Sequence, residues 1–334
     1  MRILVTGPDG FIGSAVCRDL VQKGYSVRGA QWQQAPLPEG CESFIVGDIG
    51  EGTEWMTALA GVDAVVHLAA RVHVMHDRAA DPLAEFRSVN VHGTRKLAEA
   101  AAQAGVEKFI FLSSVKVNGE HTVLPDAEKG HEDFSGGRVL NRRAGAFTAT
   151  DEPRPEDPYG ISKWEAEQYL REIELRTGMK VTILRPTLVY GPGVKANFLK
   201  LVQCVERGIP LPFGCIRNKR SFIGLGNLID IICRCLEHPS AAGETFLVSD
   251  GDDVSTPELI RRIARAFGKE PRLLPVPEWV IKAAGIMTGK SDQVQRLCGS
   301  LQVDSSRLQR SLNWRAPYTM ADELERVARW RLGN

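Results

Sequence analysis

Short apolar runs rich in β-branched residues alternate with helix-like stretches through the first half of the chain. The strand-like runs are residues 2–6, 25–30, 43–48, 64–70, 108–114 and 180–186. Helical patterns lie between them, at about 11–23, near 55–60, at 82–104 and from about 158 onward. Strands and helices that alternate at this spacing indicate βαβ units and a sheet buried on both faces. The pattern predicts an α/β fold with a doubly wound parallel sheet.

Beyond Pro186 the alternation weakens, and Gly and Pro become frequent, as in YGPGV and RGIPLPFG. These residues mark turns and loops, so a smaller mixed lobe is predicted there. The segments 220–237 and 244–250 are expected to return to the first lobe. The predicted domains are therefore residues 1–186 with about 220–250, and a second lobe of 187–219 with 251–334.

Composition excludes several classes of partner. The formal net charge is +1, so no nucleic-acid partner is expected. The chain shows neither a secretory signal nor an apolar run of 18 residues, and we expect no membrane insertion. Seven scattered cysteines without a C-x-x-C pair fit reduced thiols in a cytoplasmic protein. The histidines at 67, 73 and 76 have no carboxylate at ligand spacing, so no metal site is predicted.

The first strand runs into TGPDGFIG, which contains Gly7, Gly10 and Gly13. Glycines at a strand-to-helix turn permit close approach of the backbone to a pyrophosphate, and the free amides of the new helix then face the anion. Directly between a strand and a helix, this triplet predicts a dinucleotide site in a Rossmann-type domain.

The G-x-x-G-x-x-G spacing resembles that of the extended short-chain dehydrogenase/reductase family, which contains sugar-nucleotide epimerases, dehydratases and reductases. VGDI with Asp48, HLAA at 67–70 and Asn90 in NVHGT resemble further motifs of that family. The resemblance implies an NAD(P) site built from Gly7, Gly10, Phe11, Ile12, Gly13, Gln31, Asp48, Ile49, Leu68, Ala69, Ala70, Asn90, Tyr159, Lys163 and Pro186.

The choice between NAD and NADP depends on the end of the second strand. An acid there binds the ribose hydroxyls and repels a 2′-phosphate, but this chain has the neutral Gln31. Nothing at Gln31 excludes NADP, so we favour NADP(H). Arg28 could reach such a phosphate, but we expect its side chain to point away from it.

Tyr159 and Lys163 stand four residues apart in EDPYGISKWEAEQYL and therefore share one face of a helix. A phenol titrates near pH ~10, and a nearby ammonium together with the positive nicotinamide ring of an oxidised cofactor is expected to lower that pKa. SSVKVNG after the fifth strand resembles the family pattern that places a substrate-binding hydroxyl on Ser114. The resemblance thus implies a catalytic set of Ser114, Tyr159 and Lys163.

Departures from the family pattern limit the reactions that the resemblance implies. The family's dehydratases have an Asp-Glu pair where this chain has Val115 and Lys116, so sugar dehydration is not expected. The 45-residue approach from Ser114 to Tyr159 contains a polar segment, 126–143, which is either a lid over the substrate or a tolerated insertion. The resemblance implies substrate contacts by Ser113, Lys116, Asn197, Arg220 and Arg296.

These features predict an NAD(P)H-dependent reductase of a UDP-4-keto-6-deoxy-N-acetylhexosamine. Hydride would go to C4 and Tyr159 would supply the proton, in the synthesis of surface polysaccharide such as the O-antigen of lipopolysaccharide. The alternative is a UDP-sugar 4-epimerase, acting on UDP-glucose or UDP-GlcNAc with retained NAD. A catalytically inactive NADP-sensing regulator is the third reading. The family resemblance also implies a homodimer through the two long helices of the first lobe.

Overall fold

The computed structural model describes residues 1–72, 81–122 and 145–333. Its centre is a seven-stranded sheet in the order β3-β2-β1-β4-β5-β6-β9, in which each neighbouring pair is parallel. A small parallel sheet pairs β7 with β8. The strands are β1 Arg2–Thr6, β2 Ser26–Gln31, β3 Cys41–Ile45, β4 Ala64–His67, β5 Lys108–Leu112, β6 Lys180–Pro186, β7 Leu188–Tyr190, β8 Phe222–Gly224 and β9 Thr245–Val248.

The α-helices of the described part of the chain begin with α1, which covers Phe11–Gln22, and they flank or extend the sheet. The others are α2 Pro82–Arg87, α3 Thr94–Gln103, α4 Pro158–Thr177, α5 Ala196–Glu206, α6 Leu225–Glu237, α7 Thr256–Ala266, α8 Glu278–Met287, α9 Ser291–Cys298, α10 Ser306–Leu312 and α11 Met320–Leu332. None of the helices in these described ranges has the length and apolarity to cross a membrane.

Two of the predicted helices differ in detail. The helix predicted at 82–104 is helical throughout, but a π-helical segment, Ser88–Gly93, separates α2 from α3. The helix predicted near 55–60 is instead a series of turns. There, Arg28 donates hydrogen bonds from its guanidinium to backbone carbonyls of this segment, at 2.7 Å for Ala58. The carbonyl that a regular helix would bond internally is therefore bonded by a side chain from β2.

The apolar strand residues are buried on both faces of the sheet, as the pattern predicts. Alternate residues of β1 point to opposite sides, so Ile3 and Val5 join a core with α1 and α6, while Leu4 joins a core with α3 and α4. The β-strand order reverses between β1 and β4, which places a crevice at their carboxyl ends. The prediction of a doubly wound α/β fold is confirmed.

A third apolar core, built largely on α5, α7 and α11, lies in the second half of the chain. Of the segment expected to return to the first lobe, β9 pairs with β6, and α6 packs on the same core as α1. The strand β8, by contrast, pairs with β7 outside the main sheet. The residue bounds proposed for the two lobes stay a prediction.

Candidate active site

The glycine loop between β1 and α1 has a shape that larger residues cannot adopt. Gly7 has φ +66°, and a Cβ at Gly13 would lie 1.9 Å from the carbonyl oxygen of Gly7. Gly10 caps α1 with no side-chain hydrogen bond, so the first-turn amides of Phe11 and Ile12 face outward without a side-chain cap. This backbone cradle fits a pyrophosphate, because the helix N-terminus offers N–H donors and a favourable dipole.

The loop after β4, residues 68–70, lies against the glycine loop. A Cβ on Gly7 would come within 3.2 Å of Ala69, so the two backbones are nearly in contact. The hydroxyl of Thr6 accepts hydrogen bonds from the amides of Leu68 and Ala69, at 3.1 and 3.0 Å. The predicted cofactor positions at the ends of β1 and β4 are thus held together by one threonine.

His67 is a buried residue that supports this loop. Its Nδ1 lies 2.7 Å from Thr6 Oγ1, and its Nε2 lies 2.8 Å from Thr94 Oγ1. Burial and the nearby Lys163 lower the pKa of His67 to about 3, so the ring is neutral. No cluster of three or more metal-ligating side chains occurs in the described ranges.

Asn90 lies in the π-helical segment and is almost fully buried. Its carboxamide accepts from the amide of Arg71 at 2.8 Å and donates to the Arg71 carbonyl and to Ser162, both at 3.0 Å. Both amide hydrogens are therefore used inside the protein. Asn90 thus ties the β4 loop to α4, and its predicted contact with the cofactor stays a prediction. Such π segments often accompany functional sites.

Gln31, at the end of β2, is turned inward and is 1% exposed. It donates to the carbonyl of Ala35 at 3.0 Å and accepts from the Ser43 hydroxyl at 2.7 Å. Arg28 is equally occupied, because its guanidinium forms a two-pronged ion pair with Glu42 at 3.0 and 3.2 Å. The expectation that Arg28 points elsewhere agrees with this placement.

Asp48 and Ile49 lie in the loop after β3. Thr53 donates to the Asp48 carbonyl at 2.7 Å and accepts from the Gly50 amide at 2.9 Å, which closes a compact turn. Asp48 is exposed. Ile49 packs closely on Gly93, where an added Cβ would lie 2.6 Å from Ile49 Cγ2. The loop therefore places an exposed carboxylate beside the π-helical segment.

The turn that carries Ser114 packs directly on the start of α4. Ser114 caps the 3₁₀ turn Val115–Val117 by accepting from the Lys116 amide at 3.2 Å. Asp157 caps α4 by accepting from the Gly160 amide at 2.7 Å, and Tyr159 is the second residue of that helix. A Cβ on Gly160 would lie 3.0 Å from the Lys116 carbonyl oxygen. The segments of Ser114 and Tyr159 are thus brought together, as predicted.

Lys163 lies one turn beyond Tyr159 on the same helix face. Its ammonium nitrogen donates to the Leu112 carbonyl at 2.8 Å and lies 4.4 Å from the ring centroid of Phe111. The distance from this nitrogen to the Tyr159 ring centroid is 5.9 Å, and Phe86 packs edge-on against the same ring at 6.1 Å. The arrangement gives a buried amine and a half-buried phenol at the carboxyl end of the sheet.

The protein surroundings of Tyr159 favour the neutral phenol. Burial and the neighbouring Asp157 raise the pKa of Tyr159 above its ordinary value. Burial also lowers the pKa of Lys163, to about 7. The expected lowering of the Tyr159 pKa by Lys163 together with an oxidised nicotinamide ring stays a prediction. In this structure Tyr159 is a protonated phenol.

Ser113 is buried, and its hydroxyl is bonded within the protein. Its hydroxyl donates to Glu167 at 2.5 Å, and Glu167 forms a buried ion pair with Arg185, also 2.5 Å at its closest. Arg185 donates to Asn118 at 3.0 Å, and Asn118 donates to the Thr148 carbonyl at 3.0 Å. This bond occupies the Ser113 hydroxyl, and its predicted substrate contact stays a prediction. Sequence reasoning missed Glu167 and Arg185. The available signal was an arginine at the end of the apolar run of β6, whereas Glu167 lies in a helix with many charged residues.

Arg220 is bonded within the second half of the chain and is influenced by the charge of Arg296. Arg220 donates to the Gly299 carbonyl at 3.0 Å, and burial together with repulsion from Arg296 lowers its pKa to about 10. Guanidinium groups bind phosphate oxygens through two parallel hydrogen bonds, so the combined charge of these residues would suit a doubly charged anion. Asn197 is exposed in the first turn of α5, and Pro186 is buried at the end of β6.

Lys116, for which a substrate contact was predicted, is ion-paired within the protein. Its ammonium contacts the carboxylate of Asp157 and that of Glu120, the latter at 2.7 Å, so its charge is used within the protein. The segment 126–143, for which a lid or a tolerated insertion was predicted, lies outside the described residues.

The sequence profile of the NAD dependent epimerase/dehydratase family matches residues 3–249. The chain belongs to this family. A UDP-glucose 4-epimerase of Vibrio cholerae is 44% identical over 328 residues, which is 98% of this chain and 94% of that protein. An N-acetyl-α-D-glucosaminyl-diphospho-ditrans,octacis-undecaprenol 4-epimerase of Escherichia coli O157:H7 is 28% identical over 98% of this chain and 95% of that protein.

Solved structures confirm the fold. The UDP-glucuronic acid 4-epimerase of Bacillus cereus in complex with NAD has a TM-score of 0.75 at 23% identity, with 99% of this chain and 96% of that chain covered. The UDP-glucose 4-epimerase of Thermotoga maritima with UDP-glucose has the same TM-score at 24% identity, with 100% and 99% covered.

Several predictions are confirmed by these comparisons. The family resemblance, the Rossmann-type fold and an NAD-dependent enzyme of the epimerase type are among them. The preference for a reductase is not supported, because the relatives described above are named as epimerases. The individual site residues, the homodimer and the cytoplasmic location stay predictions.

Proposed function

We propose that this protein is a UDP-sugar 4-epimerase that retains NAD, with UDP-glucose and UDP-galactose as the first pair to test. The observation that carries the proposal is the 44% identity to a UDP-glucose 4-epimerase across 98% of this chain. The convergence of Ser114 and the Tyr159–Lys163 helix at the carboxyl end of the sheet supports it. A 4-keto reductase uses the same three side chains and becomes the second candidate.

The residues around the glycine loop fit a dinucleotide. The uncapped start of α1 would hold the pyrophosphate, Asp48 the adenosine, and Lys163 the nicotinamide ribose. Bound NAD would supply the acceptor and donor of hydride, chemistry that no side chain performs. We infer NAD rather than NADP, because Arg28 is already paired with Glu42 and Gln31 is turned inward. This inference reverses our sequence-based preference for NADP(H).

Tyr159 would exchange a proton with the C4 oxygen of the sugar. Because burial keeps the phenol protonated, Tyr159 is a ready proton donor to the forming alkoxide. In the oxidative half it must accept that proton. Positive charge from Lys163 and from the oxidised cofactor ring would then stabilise the phenolate. Ser114 would donate a hydrogen bond to the same oxygen, where negative charge develops.

The UDP group would lie toward Arg220 and Arg296. A diphosphate placed between the two guanidinium groups would relieve the repulsion that lowers the pKa of Arg220. Each guanidinium can grip a phosphate with two parallel hydrogen bonds. Diphosphate binding at one end would leave the sugar free to turn over and present its other face.

The test is an interconversion assay without added cofactor. Purified protein is incubated with UDP-glucose or UDP-GlcNAc, and the products are separated by anion-exchange chromatography. Interconversion with the galactose or GalNAc isomer supports the proposal. Its absence, together with stoichiometric consumption of NADPH or NADH in the presence of UDP-4-keto-6-deoxy-GlcNAc, would replace it with the reductase.

A variant pair separates catalysis from cofactor sensing. Tyr159→Phe should lose most turnover and still bind NAD, whereas a sensor would keep its output. Tyr169→Phe is the matched control, since Tyr169 lies on the same helix but stacks under Arg95 at 5.1 Å instead of facing the site. Equal activity of the two variants would contradict the proposed role of Tyr159.

A further inference from the structure

Lys116 joins the two segments that carry the proposed catalytic residues. It lies in the 3₁₀ turn capped by Ser114, and its ammonium contacts the carboxylate of Asp157 at the start of α4. Glu120 contacts the same ammonium at 2.7 Å, and the Lys116 side chain is 15% exposed. The ion pair with Asp157 is therefore partly shielded from water, where a charge pair is stronger than on an open surface.

Asp157 has two roles at the start of α4. Its Oδ1 accepts from the Gly160 amide at 2.7 Å, so the carboxylate fixes the first turn, in which Tyr159 lies. Its negative charge also acts on the phenol two residues later and raises the pKa of Tyr159. A carboxylate at this place orders the helix but opposes the phenolate that the oxidative half requires.

We propose that Lys116 is a positioning residue that locks the Ser114 turn onto the first turn of α4 and offsets the field of Asp157 at the Tyr159 hydroxyl. This role rests on the proposed function, in which Tyr159 exchanges a proton with the sugar. It also accounts for a lysine where the family's dehydratases have a carboxylate.

Other charged groups face Tyr159, and the variants below leave them in place. Lys163 is on the same helix, and the guanidinium of Arg71 lies 5.6 Å from the ring centroid of Phe86, which itself contacts Tyr159. Other titratable groups nearby are the neutral His67 beside Lys163, Glu120 beside Lys116, and the Arg87–Glu165 pair on the outer faces of α2 and α4. Because these groups are unchanged in the variants, a change in the electrostatic potential at the Tyr159 hydroxyl reflects the opposing charges of Lys116 and Asp157.

The experiment compares Lys116→Met, Asp157→Asn and the double variant by the pH dependence of kcat/KM for 4-epimerisation. Lys116→Met exposes Tyr159 to the full charge of Asp157, so the acidic limb should move up by about 0.5–1 pH unit. The rate at pH 7 should then fall about three- to tenfold and recover in alkali. Asp157→Asn keeps a capping oxygen and removes the charge, so the limb should move down. The double variant should return close to the wild-type limb.

Two controls accompany these variants. Lys116→Arg keeps the positive charge and should retain the wild-type limb. Lys23→Met removes a lysine at the far end of α1, where it pairs with Asp19 at 2.9 Å, and should leave the profile unchanged. Thermal melts establish that each variant is folded at the assay temperature.

Opposite shifts from Lys116→Met and Asp157→Asn support the proposal. A merely structural role predicts a lower kcat in both variants with no shift of the acidic limb, and that result would overturn the proposal. Shifts of the limb in the same direction in both variants would also overturn it. If wild-type protein epimerises no UDP-sugar, the proposed function fails by itself. The order of the Tyr159 pKa values among the variants is then measured by NMR titration of Cζ-labelled tyrosine in the NAD complex. The Tyr159 signal is assigned as the one that Tyr159→Phe removes. A Tyr159 pKa that does not rank Lys116→Met above wild type and wild type above Asp157→Asn refutes the positioning role.

Discussion

Gly13→Ala places one methyl group where the structure has no room for it. The new Cβ would lie 1.9 Å from the Gly7 carbonyl oxygen and 3.0 Å from the Pro8 Cα, whereas ordinary contact begins at 3.4 Å. The obstacle is backbone and cannot rotate away like the end of a side chain. The glycine loop must therefore move away from α1.

Two opposing effects set the size of the change. Replacing glycine by alanine inside a helix stabilises it by about 1 kcal/mol, while overpacking of this kind costs about 1–3 kcal/mol and occasionally more. Net destabilisation of about 0–2 kcal/mol follows if the loop yields. The loop's displacement also misplaces the amides of Phe11 and Ile12. A misplacement of about 1 Å at an active site can lower the reaction rate roughly 100-fold. We expect NAD affinity to fall at least tenfold.

The assay is calorimetric titration with NAD, paired with urea unfolding of the same preparations. Gly52→Ala is the matched control, because a Cβ there meets no atom within 4 Å. It should leave both NAD affinity and the free energy of unfolding unchanged within error. Gly13→Ala binding NAD within about threefold of wild type would refute the role assigned to the glycine loop.

Other predictions concern the buried ion pair and the substrate arginines. Arg185→Met leaves Glu167 buried without its partner and should lower the free energy of unfolding by about 3–5 kcal/mol in urea titrations at pH 7. Arg95→Met, which breaks the exposed ion pair with Glu99, should lower the free energy of unfolding by at most about 1 kcal/mol. Equal losses in the two variants would contradict the value expected for Arg185→Met. Arg220→Met should weaken UDP binding about 10- to 100-fold in calorimetric titrations and spare NAD binding, since a charge-assisted contact contributes about 1.5–3 kcal/mol. Unchanged UDP affinity would place the diphosphate elsewhere.

The sheet could be predicted because local sequence encodes it. Alternation of buried strands with amphipathic helices, together with a glycine triplet directly after the first strand, depends on short-range sterics and periodicity. The helix pairing of Tyr159 with Lys163 depends on the same short spacing. These features needed no knowledge of distant contacts, and the structure reproduces them.

Features set by distant partners could not be predicted. Ser113 follows a strand and looks like a site residue, but its partner Glu167 lies 54 positions later on a helix. The turns near residue 58 exist because Arg28, 30 positions earlier, bonds their carbonyls. The raised pKa of Tyr159 depends on burial, which is a property of the whole packed site. In each of these places tertiary contacts outweighed local pattern.

The most direct test of the central claim follows a single hydrogen. UDP-glucose labelled with deuterium at C4 is incubated with the protein, without added cofactor, and the product is analysed by NMR and mass spectrometry. An epimerase that retains NAD should yield UDP-galactose with the deuterium still at C4 and no free reduced cofactor. UDP-galactose that lacks the label, or deuterium recovered in released cofactor, would contradict retention, and no UDP-galactose at all would contradict epimerisation of this sugar.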